Sequence, residues 1–266
     1  MVRTTLVGIF GNCIRRVAVA AAVLSVAGLA PTAKAASETV SFCFNDWPPY
    51  SVMKDGNAEG ISVDILREAA DRAGLAATFY ELPWKRCLQM VKSGQVDAVM
   101  DAAHRDEYVQ GDASSTVYTN TFWVRTDDPL EAFDTADLPG RSVGLVDGYQ
   151  YGKELDEILA QPEIVKEYSK DDSTNIRKLS FKRVDIIIGD FASTQYFAAE
   201  NGLSLRALLP SYSFDHLYPS FNKDKAAIQS RVNEALKSMI ADGAVDNIYM
   251  KTLGVSFSDV VRPHTQ

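Results

Sequence analysis

The sequence predicts an α/β protein with a parallel sheet and right-handed crossovers, built as two similar halves. Three observations carry this. Residues 39–101 alternate strand, helix, strand, helix, strand, the order that produces parallel pairing. The alternation restarts after the break Asp127-Asp128-Pro129, with a strand at 141–147 and a helix behind it. Finally, Val96-Asp97, an apolar run and Asp101 are echoed by Val184-Asp185, an apolar run and Asp190.

The 266 residues are 46% hydrophobic and 23% charged, ordinary values for a folded chain of one large or two smaller domains. Arg3, Arg15 and Arg16 precede and enter an apolar run at 17–30, and Ala33-Lys34-Ala35 fits a small-x-small cleavage site. Residues 1–35 therefore read as a signal peptide, the mature chain starting at Ala36 in the periplasm; a retained anchor is the competing reading. Removing four basic residues and no acid takes the formal charge from −8 to −12. Such an acidic body is a poor match for nucleic acid or an anionic membrane surface. Cys43 and Cys87 are the cysteines outside that segment. In an oxidising compartment they suggest a disulfide, with two buried thiols as the alternative.

The elements follow in order. Residues 39–45 alternate as a strand, broken by Asp46-Trp47-Pro48-Pro49-Tyr50. The two prolines stiffen that turn and hold Trp47 and Tyr50 either as a core lid or as a stacking surface. Gly60 precedes a helix over 63–73, Gly74 ends it, and 76–82 is a second strand. In 83–92, Trp84, Cys87, Leu88 and Val91 recur at helical spacing, and Gly94 suits a left-handed cap. Residues 96–100 read as a buried strand with Asp101 at its end. Arg86 is the odd member: a cation in the first turn of a helix opposes the helix dipole. It calls for a bound carboxylate or for Glu81 as a surface partner.

Residues 115–126 are rich in β-formers. The turn 148–152 after the strand at 141–147 lacks the spacing and the Ser/Thr of a Walker loop, and reads as a strand-to-helix turn with amides that could meet an anion. A helix over 173–182 has Ser173 as its expected N-cap, and 184–190 is a buried strand ending in Asp190. A short strand at 217–222, an amphipathic helix at 226–241 stopped by Gly243, and a polar tail at 256–266 complete the chain. In such sheets the ligand crevice lies beyond the carboxyl ends of the strands. That topology brings Asn45-Asp46-Trp47, Pro83-Trp84 and Asp101 to one rim.

Taken together, Pro48-Pro49-Tyr50, residues 60–64 (GISVD), residues 93–98 (SGQVDA), Val184-Asp185 through Asp190 and the closing Ala241-Asp242-Gly243 resemble the extracellular solute-binding proteins of family 3, the periplasmic amino-acid-binding type. The resemblance covers nearly all of the mature chain. It implies a two-lobed periplasmic-binding-protein type 2 fold joined by two crossing hinge strands. Lobe 1 would be 36–125 together with 216–266, which includes the C-terminal tail, and lobe 2 would be 126–215. Hinge closure would trap the ligand between them.

The resemblance also implies a set of site residues. Family members anchor the ligand carboxylate with an arginine in a Thr-x-x-Arg segment. Here that segment is shortened to Ala103-His104-Arg105, which leaves Arg105 and Arg86 as competing anchors. Asp190 matches the acid that receives the ligand ammonium, with a helix N-cap as its plainer reading. Asp101 stands where a small hydroxyl residue is usual, and suggests a cationic ligand or an internal partner for Arg86 or Arg105. Trp47, Tyr50 and Trp84 would form apolar walls, and Gly148 and Tyr149 would face the ligand from lobe 2. The implied function is a monomeric receptor with no cofactor or metal, taking a small polar amino-acid-like solute to an ABC importer permease. Two alternatives remain: a periplasmic sensor or accessory subunit of an oxidoreductase, and an enzyme of the cyclohexadienyl-dehydratase kind using Asp101, Asp190 or His104. The absence of a Gly-x-Ser-x-Gly motif and of metal-spaced histidines speaks against catalysis.

Overall fold

The computed structural model describes residues 38–261; the signal-peptide expectation at 1–35 lies outside them. Strand β1 (Glu38–Phe44) is followed by a turn with a cis Pro48–Pro49 bond and a hairpin of β2 (Val52–Lys54) and β3 (Asn57–Glu59). Then come α1 (Ile61–Arg72), β4 (Leu75–Glu81), α2 (Trp84–Lys92), β5 (Ala98–Ala102), β6 (Val109–Gln110) and β7 (Thr116–Arg125). The chain continues through β8 (Ser142–Val146), α3 (Lys153–Leu159), β9 (Val165–Ser169), α4 (Asp172–Ser180), β10 (Ile186–Gly189) and α5 (Phe191–Glu200). It closes with β11 (Leu205–Phe221), α6 (Ala226–Ala241), α7 (Ala244–Leu253) and α8 (Phe257–Val260).

The strands form one continuous path, β4-β1-β5-β11-β7-β10-β8-β9, with β6 also on β11. β1 pairs in parallel with β4 and β5, and β8 pairs in parallel with β9 and β10. Between these two parallel blocks run β7 and β11, antiparallel from Thr116–Leu217 to Arg125–Leu205, with a register shift between Leu208 and Ser213. The fold is α/β and two-lobed, with β7 and β11 as the crossing strands.

Each lobe carries its own small core beside the shared one. In the first, α2 buries Trp84, Cys87 and Val91 against Cys43, Val96, Val99 and Tyr108. The Cys43–Cys87 disulfide, with Cα atoms 5.7 Å apart, ties α2 to β1. Gly94, at φ 74°, makes the left-handed turn that a side chain would resist. In the second, α4 and α5 bury Ile176, Leu179 and Phe197 against Trp123, Val184 and Ile187.

Several expectations shift. The helix expected at 63–73 starts two residues earlier, and the strand expected at 96–100 is displaced to 98–102, so Asp101 lies inside it. Asp171, not Ser173, caps α4: its carboxylate accepts from the Thr174 N–H at 2.8 Å, a stronger acceptor than a hydroxyl. The strand expected at 217–222 is only the end of β11. The tail from 256 contains α8, anchored by a buried Phe257.

Candidate functional site

A cavity of about 40 Å³ opens where the carboxyl ends of β1 and β5 face the turn after β8. Phe44, Trp47, Trp84, Tyr118 and Tyr149 supply its rings, and Asn45, Asp101, Arg105 and Gln150 its main polar groups. Of the residues singled out from sequence, Trp47, Trp84, Asp101, Arg105 and Tyr149 line it. Gly148 adjoins it through its carbonyl, which accepts from Arg105 Nη2 at 2.8 Å and from Trp84 Nε1 at 3.2 Å. Gly148 has φ 86°, and a Cβ there would lie 3.3–3.4 Å from Lys85 and Trp84, so the close approach suits glycine.

The chain meets itself across the cleft at further points. Asn45 Nδ2 donates to the Tyr149 hydroxyl at 3.0 Å, and that hydroxyl donates to Asp172 Oδ2 at 2.7 Å. Lys85 Nζ reaches Asp147 at 2.5 Å, with both side chains well exposed. That pair is worth about 0–1 kcal/mol.

Tyr50, Arg86 and Asp190 are placed elsewhere. Tyr50 stacks behind Trp47, ring centroids 4.2 Å apart, and is buried; its hydroxyl is pushed up by burial and by nearby Asp190. Arg86 is exposed on α2 and forms no ion pair with Glu81. Asp190 is 1% exposed. One of its oxygens accepts from the Ser193 N–H at 2.9 Å, as the N-cap of α5, and the other accepts from Thr119 N–H and Oγ1 at 3.0 and 2.8 Å. Burial still pushes its carboxyl above the usual value against these donors. The amides of the turn at 148–152 are partly spent: Tyr151 N–H donates to Asp156 at 3.2 Å.

The polar groups of the cavity are unequal in what they already hold. Arg105 stacks over Trp84 at 5.9 Å and donates through Nη2, yet its buried Nε has no partner. Burial lowers its proton affinity. Trp47 Nε1 and the Tyr118 hydroxyl are likewise buried and unpartnered. A buried donor left unpaired costs about 1–3 kcal/mol, and three of them stand around this cavity. Asp101 accepts from Ser115 Oγ at 3.1 Å; burial pushes its carboxyl up to about 6, against the pull of the Ser62 and Ser115 hydroxyls. Asp172 is pushed up to about 7 by burial, against the hydrogen bond from Tyr149. Among the described residues no group of histidine, cysteine and acidic side chains is arranged to hold a metal ion.

Sequence reasoning did not single out Tyr118, Gln150 or Asp172, and noticed Asn45 only as a strand end. Tyr118 sits on β7 inside the run of β-formers at 115–126, where alternation alone does not distinguish a cleft-facing ring from a core one.

The sequence profile of the bacterial extracellular solute-binding proteins, family 3, matches residues 41–255. Among curated proteins, the candidate amino-acid ABC transporter-binding protein PatH of Vibrio harveyi is 24% identical, covering 91% of this chain and 98% of its own. The L-cystine-binding protein TcyA of Bacillus subtilis is 24% identical over 75% of this chain and 74% of its own. Among solved structures, the arginine-, lysine-, histidine-binding protein ArtJ of Geobacillus stearothermophilus superposes with a TM-score of 0.70 at 24% identity, covering 83% of this chain and 96% of that one. A histidine kinase sensor domain with similarity to periplasmic binding proteins gives a TM-score of 0.73 at 23% identity, over 83% and 97%. Those structures share the two-lobed fold, and the profile match spans most of the sequence: the chain belongs to the bacterial extracellular solute-binding proteins of family 3, a family of binding proteins rather than enzymes.

Proposed function

We propose that this protein is a periplasmic receptor that captures a small polar, amino-acid-like solute in the cavity between its lobes and delivers it to an ABC importer permease. The lobes are taken as 36–125 with 216–266, and 126–215. The observation that carries the reading is the half-used guanidinium of Arg105: Nη2 is held by the Gly148 carbonyl while the buried Nε has no partner. A carboxylate fits that fork bidentately, displacing the carbonyl from Nη2 and satisfying Nε. Arg105 is thus the carboxylate anchor rather than Arg86, which lies exposed outside the cavity lining. The rings of Trp47, Trp84 and Tyr118 wall the ligand, and Tyr149 with Gly148 closes over it from the other lobe.

The cavity of about 40 Å³ holds little more than water. Ligand uptake therefore requires Tyr149 and Gly148 to withdraw, which breaks the Asn45–Tyr149 and Arg105–Gly148 bonds. A thermal-shift panel of amino acids and related solutes tests the reading. A ligand at about one hundred times its Kd raises Tm by about 5–10 °C. Arg105→Ala abolishes that rise, whereas Arg86→Ala preserves it; a folded wild-type chain that no member of the panel stabilises would falsify the proposal.

A further inference from the structure

We infer, resting on the receptor reading above, that Asp101 receives a cationic group which the ligand carries several bonds away from its carboxylate. Asp101 is the one acidic residue lining the cavity among the described residues, and it sits in the wall without a counter-cation. No lysine, arginine or histidine among them comes within ion-pair distance of it; its partner is the hydroxyl of Ser115, with Ser62 alongside. Other acids with low exposure in this chain are better provided for. Asp97 has the Lys225 ammonium at 2.8 Å and two donors from Ser41, and Asp190 has three donors; Asp172, held by the Tyr149 hydroxyl, is not part of the cavity lining. A carboxylate buried beside a cavity with only hydroxyls for company is destabilising to the ligand-free fold unless it takes up a proton. A ligand that brings a cation to it removes that penalty.

The separation of the two charges in the ligand follows from the separation of their receptors. Arg105 stacks on Trp84 and holds the Gly148 carbonyl of the turn after β8. Asp101 lies toward the crossing strands, bonded to Ser115 just before β7. The two form no ion pair, and each is held by its own scaffold partner, the Gly148 carbonyl for Arg105 and the Ser115 hydroxyl for Asp101. A plain α-amino acid, whose ammonium and carboxylate share one carbon, has a single charged end to divide between two receptors held by different scaffold partners. A ligand with an ammonium or guanidinium at the far end of a short chain brings a charged end to each, with the rings of Trp47 and Tyr118 along its apolar middle.

Calorimetric titration of the mature chain with two matched pairs tests this: lysine against norleucine, and arginine against citrulline. Within each pair the amino-acid head is the same and the remote cation is present or absent. A hydrogen-bonded remote cation gives lysine and arginine an advantage of about tenfold or more over their neutral partners in the wild type. Asp101→Asn erases that advantage and leaves norleucine within about threefold of its wild-type affinity, since the mutation touches only the remote end. Equal affinities within the pairs in the wild type overturn the inference and leave the receptor reading standing. So does a cation preference that survives Asp101→Asn and is lost in Asp190→Asn. Silence of all four ligands with a folded wild-type chain, together with silence of the wider panel, overturns both.

Discussion

Residues 96–101 and 184–190 begin alike and end differently. In the first stretch, Asp97 Oδ2 accepts from Ser41 N–H at 2.8 Å and from Ser41 Oγ at 2.9 Å, while Asp97 N–H donates back to Ser41 Oγ at 2.9 Å. In the second, Asp185 Oδ2 accepts from Ser142 N–H at 2.9 Å and Ser142 Oγ at 2.8 Å, and Asp185 N–H donates to Ser142 Oγ at 3.1 Å. Each aspartate thus locks the start of a parallel strand to its neighbour, one residue before the Phe42–Ala98 pairing and one before the Val143–Ile186 pairing. The exits then diverge. Asp190 leads directly into α5 and spends both oxygens on the scaffold, whereas Asp101 is followed by a loop and β6 and keeps an unpaired face on the cavity. The same motif therefore makes a structural acid in one lobe and an available one in the other, because only one of the two strands runs straight into a helix.

The largest effect that separates the two acids is on folding. Asp190→Ala leaves Thr119 N–H, Thr119 Oγ1 and the Ser193 N–H without their acceptor in a fully buried place. It should cost about 2–4 kcal/mol in chemical denaturation. Asp101→Ala removes one hydroxyl contact and an unpaired carboxyl, and should cost nothing at neutral pH or stabilise. Equal losses would mean that the two exits are not different in kind.

A second asymmetry is covalent. The Cys43–Cys87 disulfide closes a separation of 44 residues and pins α2 in the first lobe; among the described residues the second lobe has no counterpart under α4. Replacing both cysteines by serine should cost about 2–4 kcal/mol. Because α2 carries Trp84, the same variant should also weaken ligand binding, read as a smaller thermal shift at fixed ligand concentration.

The first lobe was more legible in the sequence than the second, for physical reasons. α2 and α6 announce themselves by apolar residues at helical spacing, and β1, β4 and α1 by clean stops at glycine or proline. β9 (VKEYS) is an edge strand exposed along most of its length, so no alternation marks it. The early half of β11 contains Pro210 and the register shift, which hide a strand that is made by pairing with β7 rather than by propensity. α7 follows a glycine closely and was not anticipated, and α5 was legible only through the plainer reading of Asp190 as a helix N-cap. Trp47, Trp84 and Asp101 line the cavity because they stand at or just beyond strand ends, which can be located from sequence, whereas Arg105 and Tyr149 were legible only through the family resemblance. Tyr118 and Asp172 reach the cavity region only through the crossing of β7 and β11 and through the Tyr149 bond, and long-range geometry of that sort leaves no local pattern.

Proton linkage sharpens the contrast at Asp101. Folding raises its carboxyl from 3.8 to about 6. Between those values the folded chain binds more protons than the unfolded chain, so stability falls as pH rises through the window and stays low above it. Asp101→Asn removes that loss. In the absence of ligand it should stabilise the protein by about 1–3 kcal/mol near pH 8 and by almost nothing near pH 4. Asp172, raised to about 7, adds a slope of the same sign at higher pH, and in Asp172→Asn the Tyr149 hydroxyl keeps an amide oxygen to donate to. Equal stabilisation by Asp101→Asn at both pH values would remove the grounds for treating this carboxyl as uncompensated.

The smallest effect concerns the matched acids. Burial pushes Asp97 up, but the Lys225 ammonium and the Ser41 donors outweigh it and hold it below the usual value; Asp185 is held low by the Ser142 N–H and hydroxyl against burial. For both, folding lowers the proton affinity, so their contribution is present above the unfolded value and is lost as pH falls through the folded one, the reverse of Asp101. Asp97→Asn and Asp185→Asn should each cost about 1 kcal/mol at neutral pH, since the amide keeps an acceptor for serine but loses charge. Asp97 should exceed Asp185 by only about 0.5 kcal/mol, the worth of its half-exposed Lys225 pair, and the excess should fade in high salt. Denaturation of the two variants at low and high salt measures it. A gap several times larger and insensitive to salt would show that the two strand locks, alike in their hydrogen-bond pattern, are not equivalent in energy.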